Sequence, residues 1–234
     1  MSDFSTLSTV LLVSALASGP FYMFATYYFA GVGVRHASIM TIGLFVFAAA
    51  TLWFIFFGQY LSSNPLVMPA FMLTCLAIPP LLVLAFPRFI VPDGIDLGWL
   101  IGVQAFRVVG GLYLIEHFRG NVGSEFAYWA GVGDVITGLL ACALLVQYWV
   151  TGSMSLRLAF WTIIFGLADF AWAYGIGVLS FPTPIQIFAI GETHATNLFP
   201  IALIPFLLAP IAMGYMVMTL IVLRRQSRSD QAER

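Results

Sequence analysis

The chain has 234 residues, of which 61% are hydrophobic and 8% are charged, and its formal net charge is −1. Charged residues make up about a quarter of an ordinary soluble domain, so this composition excludes a soluble globular fold. It indicates an all-α integral membrane protein, and the lipid bilayer is its predicted partner. Nucleic acid is excluded as a partner, because its recognition needs a strongly basic surface.

Seven apolar segments, separated by turn-forming stretches, are each long enough to cross a bilayer, which takes about 20 residues. The predicted spans are 7–31, 38–60, 66–86, 97–118, 125–150, 157–180 and 197–223. The sequence therefore predicts a seven-transmembrane-helix bundle that forms a single domain over residues 1–223. A polar cytoplasmic tail is predicted over residues 224–234.

The arginines in the short connections predict the orientation, because cytoplasmic loops retain positive charge. With the C-terminus inside, seven arginines lie on the cytoplasmic side and only Arg119 lies outside. The seven are Arg35, Arg88, Arg157, Arg224, Arg225, Arg228 and Arg234. We therefore expect the N-terminus outside and the C-terminus inside.

The fourth predicted span contains "QAFRVVGGLYLIEH", which places a guanidinium in an apolar helix. Arg107 is about ten residues from the inner end of this span, which is roughly 15 Å and close to the bilayer midplane. Asp134 in the fifth span and Asp169 in the sixth lie at a similar depth. A lone ionised side chain there costs at least about 2.5–3.5 kcal/mol. We therefore predict that Arg107 pairs with Asp134, Asp169 or both, and that Gln104 adds a neutral amide.

Two interpretations of these charges remain open. The pairing can fix the register of the helices, or it can form a ligand or proton site, as intramembrane ionisable groups generally do. On the second interpretation the ligand-binding residues are Arg107, Asp134, Asp169 and Gln104. Arginine suits carboxylates and phosphates because its planar fork donates two parallel hydrogen bonds. The predicted function is to bind or transport a small polar or anionic ligand, or a proton.

No catalytic residue and no cofactor are predicted. The chain has nine arginines and no lysine. Retinal and pyridoxal phosphate both need a lysine amine for their imine bond, so both are excluded.

Two Glu and His pairs on the predicted outer side form the other polar group. They are Glu116 with His117, and Glu192 with His194. Carboxylate and imidazole groups bind zinc, but neither pair has the i,i+4 spacing that places two helical side chains on one face. No metal site is therefore predicted, and these four residues stay candidates only. They define an alternative function, a membrane-embedded metal-dependent enzyme; a non-catalytic assembly or sensor subunit is another.

Prolines and glycines predict how the spans pack. Pro200, Pro205 and Pro210 recur in the seventh predicted span, where each removes a backbone donor and kinks the helix. This kinked helix could gate access to the charged residues by rocking at Pro205 and Pro210. Small-residue faces that let helices approach closely are predicted at Gly110, Gly111, Gly131, Gly133 and Gly138.

Four stretches of the C-terminal two thirds resemble a family of small uncharacterised bacterial multi-span membrane proteins. They are the surroundings of Arg107, "GVGDVITG" at 131–138, "PTPIQIF" at 182–188 and "FPIALIPFLLAP" at 199–210. The resemblance matches the family's arginine, aspartate and prolines to Arg107, Asp134, Pro205 and Pro210. It implies a bacterial inner membrane location and no particular activity. Relatives often carry a histidine in the last helix, and "MGYMVMTL" has none.

Overall fold

A computed structural model describes residues 4–57, 64–190 and 196–232, with side chains described as far as Arg228. This part of the chain is all-helical and contains no β-strand. Within these described ranges, seven helical segments are long and apolar enough to cross a membrane, by length and composition. The predicted number of long apolar helices is therefore confirmed.

The helices, numbered in chain order, follow one another with short connections. They are α1 (Thr6–Phe29), α2 (Val34–Phe57), α3 (Val67–Ala85), α4 (Pro87–Ile90), α5 (Leu97–Ala105), α6 (Leu112–Phe118), α7 (Ser124–Thr151), α8 (Leu156–Ser180) and α9 (Ala209–Ala232). A 3-10 helix, Phe106–Gly111, connects α5 to α6, and a π-helical turn, Ile204–Leu208, leads into α9.

Within the described residues, the first six predicted spans coincide with helices apart from a few residues at their ends, and the seventh is displaced along the chain. Residues 58–60 of the predicted second span lie outside the described residues. It was predicted over 197–223, but the helical segment that could span a membrane is Ile204–Arg228. Residues 196–202 form turns. Pro205 lies in the first turn of the helical segment, where its missing N–H is not needed. The helix therefore begins late and continues through residues that the sequence assigns to a polar tail.

The fourth predicted span is helical throughout, but a 3-10 segment separates its two α-helical parts. Asp96 caps α5 by accepting a hydrogen bond from the Gly98 amide at 2.7 Å. At Phe106 the helix tightens into the 3-10 segment, where α7 approaches its backbone closely. A Cβ atom on Gly138 would lie only 2.6 Å from the Val108 nitrogen. Glycine in α7 therefore permits a contact that any larger residue would prevent.

α7 is the central helix of the bundle, since it packs against α8, α5, the 3-10 segment and α6. α3 and α5 both pack against α9, whereas α1 packs mainly against α2. This arrangement brings the middles of the fourth, fifth and sixth spans together.

Candidate functional site

Arg107 lies in the 3-10 segment with its guanidinium between α7 and α8, and its side chain is only 3% exposed. Its Nε donates a hydrogen bond to Asp134 Oδ1 at 2.6 Å. Its Nη2 donates to Asp169 Oδ2 at 2.5 Å. The predicted pairing of Arg107 with Asp134, Asp169 or both is therefore confirmed, and it involves both aspartates. We call these three residues the charged cluster.

Two further groups complete the surroundings of the guanidinium. Nη1 donates to the carbonyl oxygen of Gly166 at 3.2 Å. The ring of Phe170 lies over the guanidinium, with its centroid 3.7 Å from the central carbon. A buried cation over an aromatic face gains electrostatic stabilisation from the ring quadrupole. Sequence reasoning missed both residues, and their only signal was their closeness to Asp169 in α8.

Glycines make the room that the charged side chains occupy. A Cβ atom on Gly133 would overlap the carboxylate of Asp169, and one on Gly110 would overlap Asp134. A Cβ atom on Gly166 would lie 2.6 Å from Arg107 Nη1. Each charged side chain thus lies directly against the backbone of a neighbouring element. The predicted close approach at Gly110 and Gly133 is present, and Gly166 belongs to the same group.

Gln104 is not hydrogen-bonded to the charged cluster, so the prediction that its amide supports Arg107 is wrong. Its Nε2 donates to the carbonyl oxygen of Ala212 in α9 at 3.1 Å. Its side chain is fully buried, and its Oε1 has no hydrogen-bond partner among the residues that the structure describes. The side chain turns towards α9 because that helix packs against α5 and offers a carbonyl there.

The space beside the charged cluster is small. A cavity lined by Arg107, Asp134, Phe170 and Ala209 has a volume of about 20 Å³. A single water molecule needs roughly 10–15 Å³ by the same measure. In this conformation the cavity can therefore hold about one water molecule and no larger ligand.

The π-helical turn at the start of the last span lies beside this site. The amide of Ala209 donates to the carbonyl of Ile204 instead of that of Pro205, as the wider turn requires. The freed carbonyl oxygen of Pro205 accepts a hydrogen bond from the buried hydroxyl of Tyr174 in α8. The irregular backbone is thus satisfied by a neighbouring helix, as an apolar environment demands.

The described members of the Glu and His group are engaged by other parts of the protein. Glu116 is fully buried and accepts hydrogen bonds from the Ser8 hydroxyl, the Ser5 amide at 3.1 Å and Asn121 Nδ2 at 2.8 Å. His117 Nδ1 lies 2.9 Å from the carbonyl oxygen of Val122. Glu192 and His194 lie outside the described residues. Within the described ranges, no group of three or more His, Cys, Asp or Glu side chains could hold a metal ion.

Comparison with known proteins identifies a family. A family model described as a domain of unknown function (DUF8737) matches residues 70–224, which include the whole charged cluster. No curated protein and no solved structure matches the chain. The family match agrees with the resemblance to an uncharacterised family and carries no assigned activity.

Proposed function

The chain belongs to the DUF8737 family, and we propose that it is a multi-pass membrane protein that binds a proton at the charged cluster and transfers it across the membrane. The contact of two carboxylates with one guanidinium, at 2.6 and 2.5 Å, carries this proposal. The other ligands that the sequence left open, small polar or anionic molecules, fit this geometry less well.

Membrane insertion is supported by the seven long apolar helices. The arginines in the connections favour an outer N-terminus and an inner C-terminus. In this orientation the 3-10 segment lies near the middle of the fourth span, and Asp134 and Asp169 lie near the middles of α7 and α8. The resemblance noted above favours a bacterial inner membrane.

The balance of charge in the cluster favours a proton as the ligand. If all three groups are ionised, one positive and two negative charges leave a net charge of −1 in an apolar surrounding. An uncompensated buried charge costs several kcal/mol. One proton shared by the two carboxylates would make the cluster neutral without any other ion. The cluster therefore has the composition of a site that gains and loses one proton.

The hydrogen bonds and the cavity argue against a larger anionic ligand. Nε and Nη2 of Arg107 already donate to carboxylates, and Nη1 donates to the Gly166 carbonyl. A carboxylate or phosphate would have to displace an aspartate and would add negative charge to a site that already has a surplus. The cavity of about 20 Å³ offers no space for it.

A polar cavity on the proposed cytoplasmic side is a candidate entrance. It has a volume of about 490 Å³, and Asp96, Leu97, Tyr148 and Arg225 are among its lining residues. Leu97 is ten residues before Arg107, a helical distance of roughly 15 Å. Side chains that are fully buried fill the bundle between these levels: Leu100, Ile101, Leu144 and Ile163. Proton passage therefore requires a movement, for which the π-helical turn beside the cluster is a suitable hinge.

Proton flux into proteoliposomes tests the proposal. A potassium diffusion potential drives protons inward, and an enclosed pH-sensitive dye reports them. We expect acidification above that of empty liposomes for the unmodified protein, and none for Asp134→Asn or Asp169→Asn. Glu125→Gln is the control, because Glu125 is an exposed carboxylate at the start of α7, nine residues before Asp134, and does not line the polar cavity of the candidate entrance. Equal flux in the unmodified protein and both cluster variants would contradict the proposal.

The same variants separate proton transfer from a register role. Asp169→Asn leaves one positive and one negative charge and keeps a hydrogen-bond acceptor for Arg107. If the cluster only fixes helix register, proteoliposomes of the unmodified protein will acidify no faster than empty ones. If it transfers protons, the variant keeps its fold and loses the flux.

A further inference from the structure

Another cavity lies between α2 and α3, away from the charged cluster. α2 packs mainly against α1 and α3 mainly against α9, so α2 and α3 leave a groove between them. The groove has a volume of about 330 Å³, at the lower end of the range of ligand sites. It runs along α2 from Ile39 to Phe47, roughly 12 Å of helix. We call it the α2–α3 groove.

The α2–α3 groove is apolar and opens on the outer surface of the bundle. Its edges include Ile39, Leu82 and Phe86, which are 46%, 47% and 57% exposed. The two tyrosine hydroxyls on its floor already have partners. Tyr27 donates to the Ile90 carbonyl at 2.7 Å, and Tyr215 donates to Met23 Sδ at 3.5 Å. The groove thus offers hydrocarbon contacts and no free hydroxyl to orient a polar solute.

One end of the groove carries positive charge. The ring of His36 contacts that of Phe89 at 4.5 Å and that of Tyr27 at 5.5 Å, and both aromatic residues line the groove. His36 Nε2 is enclosed and has no hydrogen-bond partner among the described residues. Arg35 and Arg88 are the chain neighbours of His36 and Phe89, and both are exposed. Neither forms an ion pair with a carboxylate of the described chain.

We propose that the α2–α3 groove binds one acyl chain of an anionic phospholipid, with the phosphate at Arg35 and Arg88. The apolar side chains along the groove suit the acyl chain of a lipid. The two arginines at one end suit its negatively charged head group. In the proposed orientation that end lies at the cytoplasmic leaflet, where basic side chains attract anionic lipids. The inference rests on the proposed membrane insertion and not on proton transfer by the charged cluster.

Gly43 allows the groove to be filled without disturbing the bundle. It lines the groove, and a Cβ atom built on it meets nothing within 4 Å. Gly43→Leu therefore extends a side chain into the space that the acyl chain would occupy. Gly19 in α1 is the matched control, since it also has open space around a built Cβ atom and does not line the groove.

Photo-crosslinking in proteoliposomes tests the proposal. The probes are phosphatidylglycerol and phosphatidylcholine that carry a diazirine on one acyl chain, and peptide mapping locates the adducts. We expect the phosphatidylglycerol probe to label 39–47 and 78–90 preferentially. Gly43→Leu should lower this labelling about tenfold, because the added side chain competes with the acyl chain for van der Waals contacts. Gly19→Leu should not change it.

Variants of the exposed arginines test the head group separately and spare the helix packing. Arg35→Gln and Arg88→Gln should each lower phosphatidylglycerol labelling about fivefold, the effect of one basic residue near an anionic surface. Labelling by phosphatidylcholine should not change. Asp169→Asn should bind lipid normally even if it abolishes proton flux, so that the two proposals can fail independently. Equal labelling by both probes, or labelling that persists in Gly43→Leu, would overturn the inference.

Discussion

The α1–α2 hairpin and the α3–α9 core are built differently. Only 17% of the residues in the apolar windows of α1 and α2 are buried in the bundle, and the share rises through the core from 22% in α3 and 39% in the fourth span to 44% in α7 and α8 and 67% in the last span. The family match begins at residue 70, inside α3, so the hairpin lies outside it. All three members of the charged cluster belong to the core.

The two regions also use polar groups differently. In the core, three charged side chains are enclosed together, and glycines on neighbouring elements make the space for them. The hairpin joins the core through hydrogen bonds near its helix ends, such as Ser8 to Glu116 and Tyr22 to the Trp99 carbonyl. The proposed activity and the attachment of the hairpin therefore depend on separate residues. Each can therefore be disturbed alone.

The largest expected effect follows the loss of the cation in the core. Arg107→Gln leaves two buried carboxylates without a positive partner and should lower the free energy of unfolding by about 3–5 kcal/mol. Thermal unfolding of the protein in detergent measures the loss. Additional Asp134→Asn and Asp169→Asn substitutions should restore much of it, because no buried charge then remains. An Arg107→Gln protein as stable as Arg157→Gln, which removes an exposed arginine at the start of α8, would refute this account of the cluster.

The next effect loosens the hairpin and spares the core. Glu116→Gln removes the charge that accepts hydrogen bonds from the Ser8 hydroxyl and the Ser5 amide, each worth roughly 1.5–3 kcal/mol when its acceptor is charged. Hydrogen exchange should speed up at the start of α1, while proton flux through the cluster stays unchanged. Glu125→Gln is the control, since Glu125 accepts from the Ala189 amide, outside the hairpin. Unchanged exchange in α1 would show that Glu116 does not attach the hairpin.

A smaller effect tests whether glycine positions the carboxylate of Asp169. Gly133→Ala places a methyl group where the Asp169 carboxylate lies, so this carboxylate must move away from Arg107. Overpacking of this kind costs about 1–3 kcal/mol, and proton flux should fall with it. Gly175 in α8 provides the control, because a Cβ atom placed on it would meet nothing within 4 Å. Gly175→Ala should therefore keep both stability and flux. The prediction fails if the two alanine variants behave alike.

The smallest effect concerns a single neutral hydrogen bond of the hairpin. Tyr22→Phe removes the donor to the Trp99 carbonyl, a bond of 2.7 Å, and should cost about 0.5–1.5 kcal/mol. Tyr28→Phe is the matched control because Tyr28 is 49% exposed. Thermal unfolding should rank Tyr22→Phe below Tyr28→Phe and well above Arg107→Gln. A loss as large as that of Arg107→Gln would remove the distinction between hairpin and core.

The sequence was sufficient to predict the long helices, because the length of an apolar segment depends on local composition alone. It also predicted the pairing of Arg107 with Asp134 and Asp169, since an isolated charge at that depth is too costly. The 3-10 segment could not be predicted, because it depends on how closely α7 approaches through Gly138. The partner of Gln104 was missed for the same kind of reason, since Ala212 becomes its neighbour only when α9 packs against α5.

The start of the last span also could not be predicted from the sequence, and here the reason lies in the backbone hydrogen bonds. Its prolines predicted a kink, but the start of the helix depends on which carbonyls find partners. Tyr174 takes up the Pro205 carbonyl that the π-helical turn frees, and only the packing of α8 against α9 brings that hydroxyl there. The local sequence pattern predicts where the regular hydrogen bonds of a helix are lost. Tertiary packing decides which side chains bond to the carbonyl groups that are left free.

Infrared spectroscopy of the reconstituted protein tests the central claim most directly, because a protonated carboxylic acid absorbs separately from a carboxylate. The account predicts a protonated carboxyl band that disappears at alkaline pH. The band should be absent from both Asp134→Asn and Asp169→Asn, since the remaining carboxylate pairs with Arg107 one to one. A band that persists in both variants, or its absence from the unmodified protein at every pH, would contradict proton binding by the cluster.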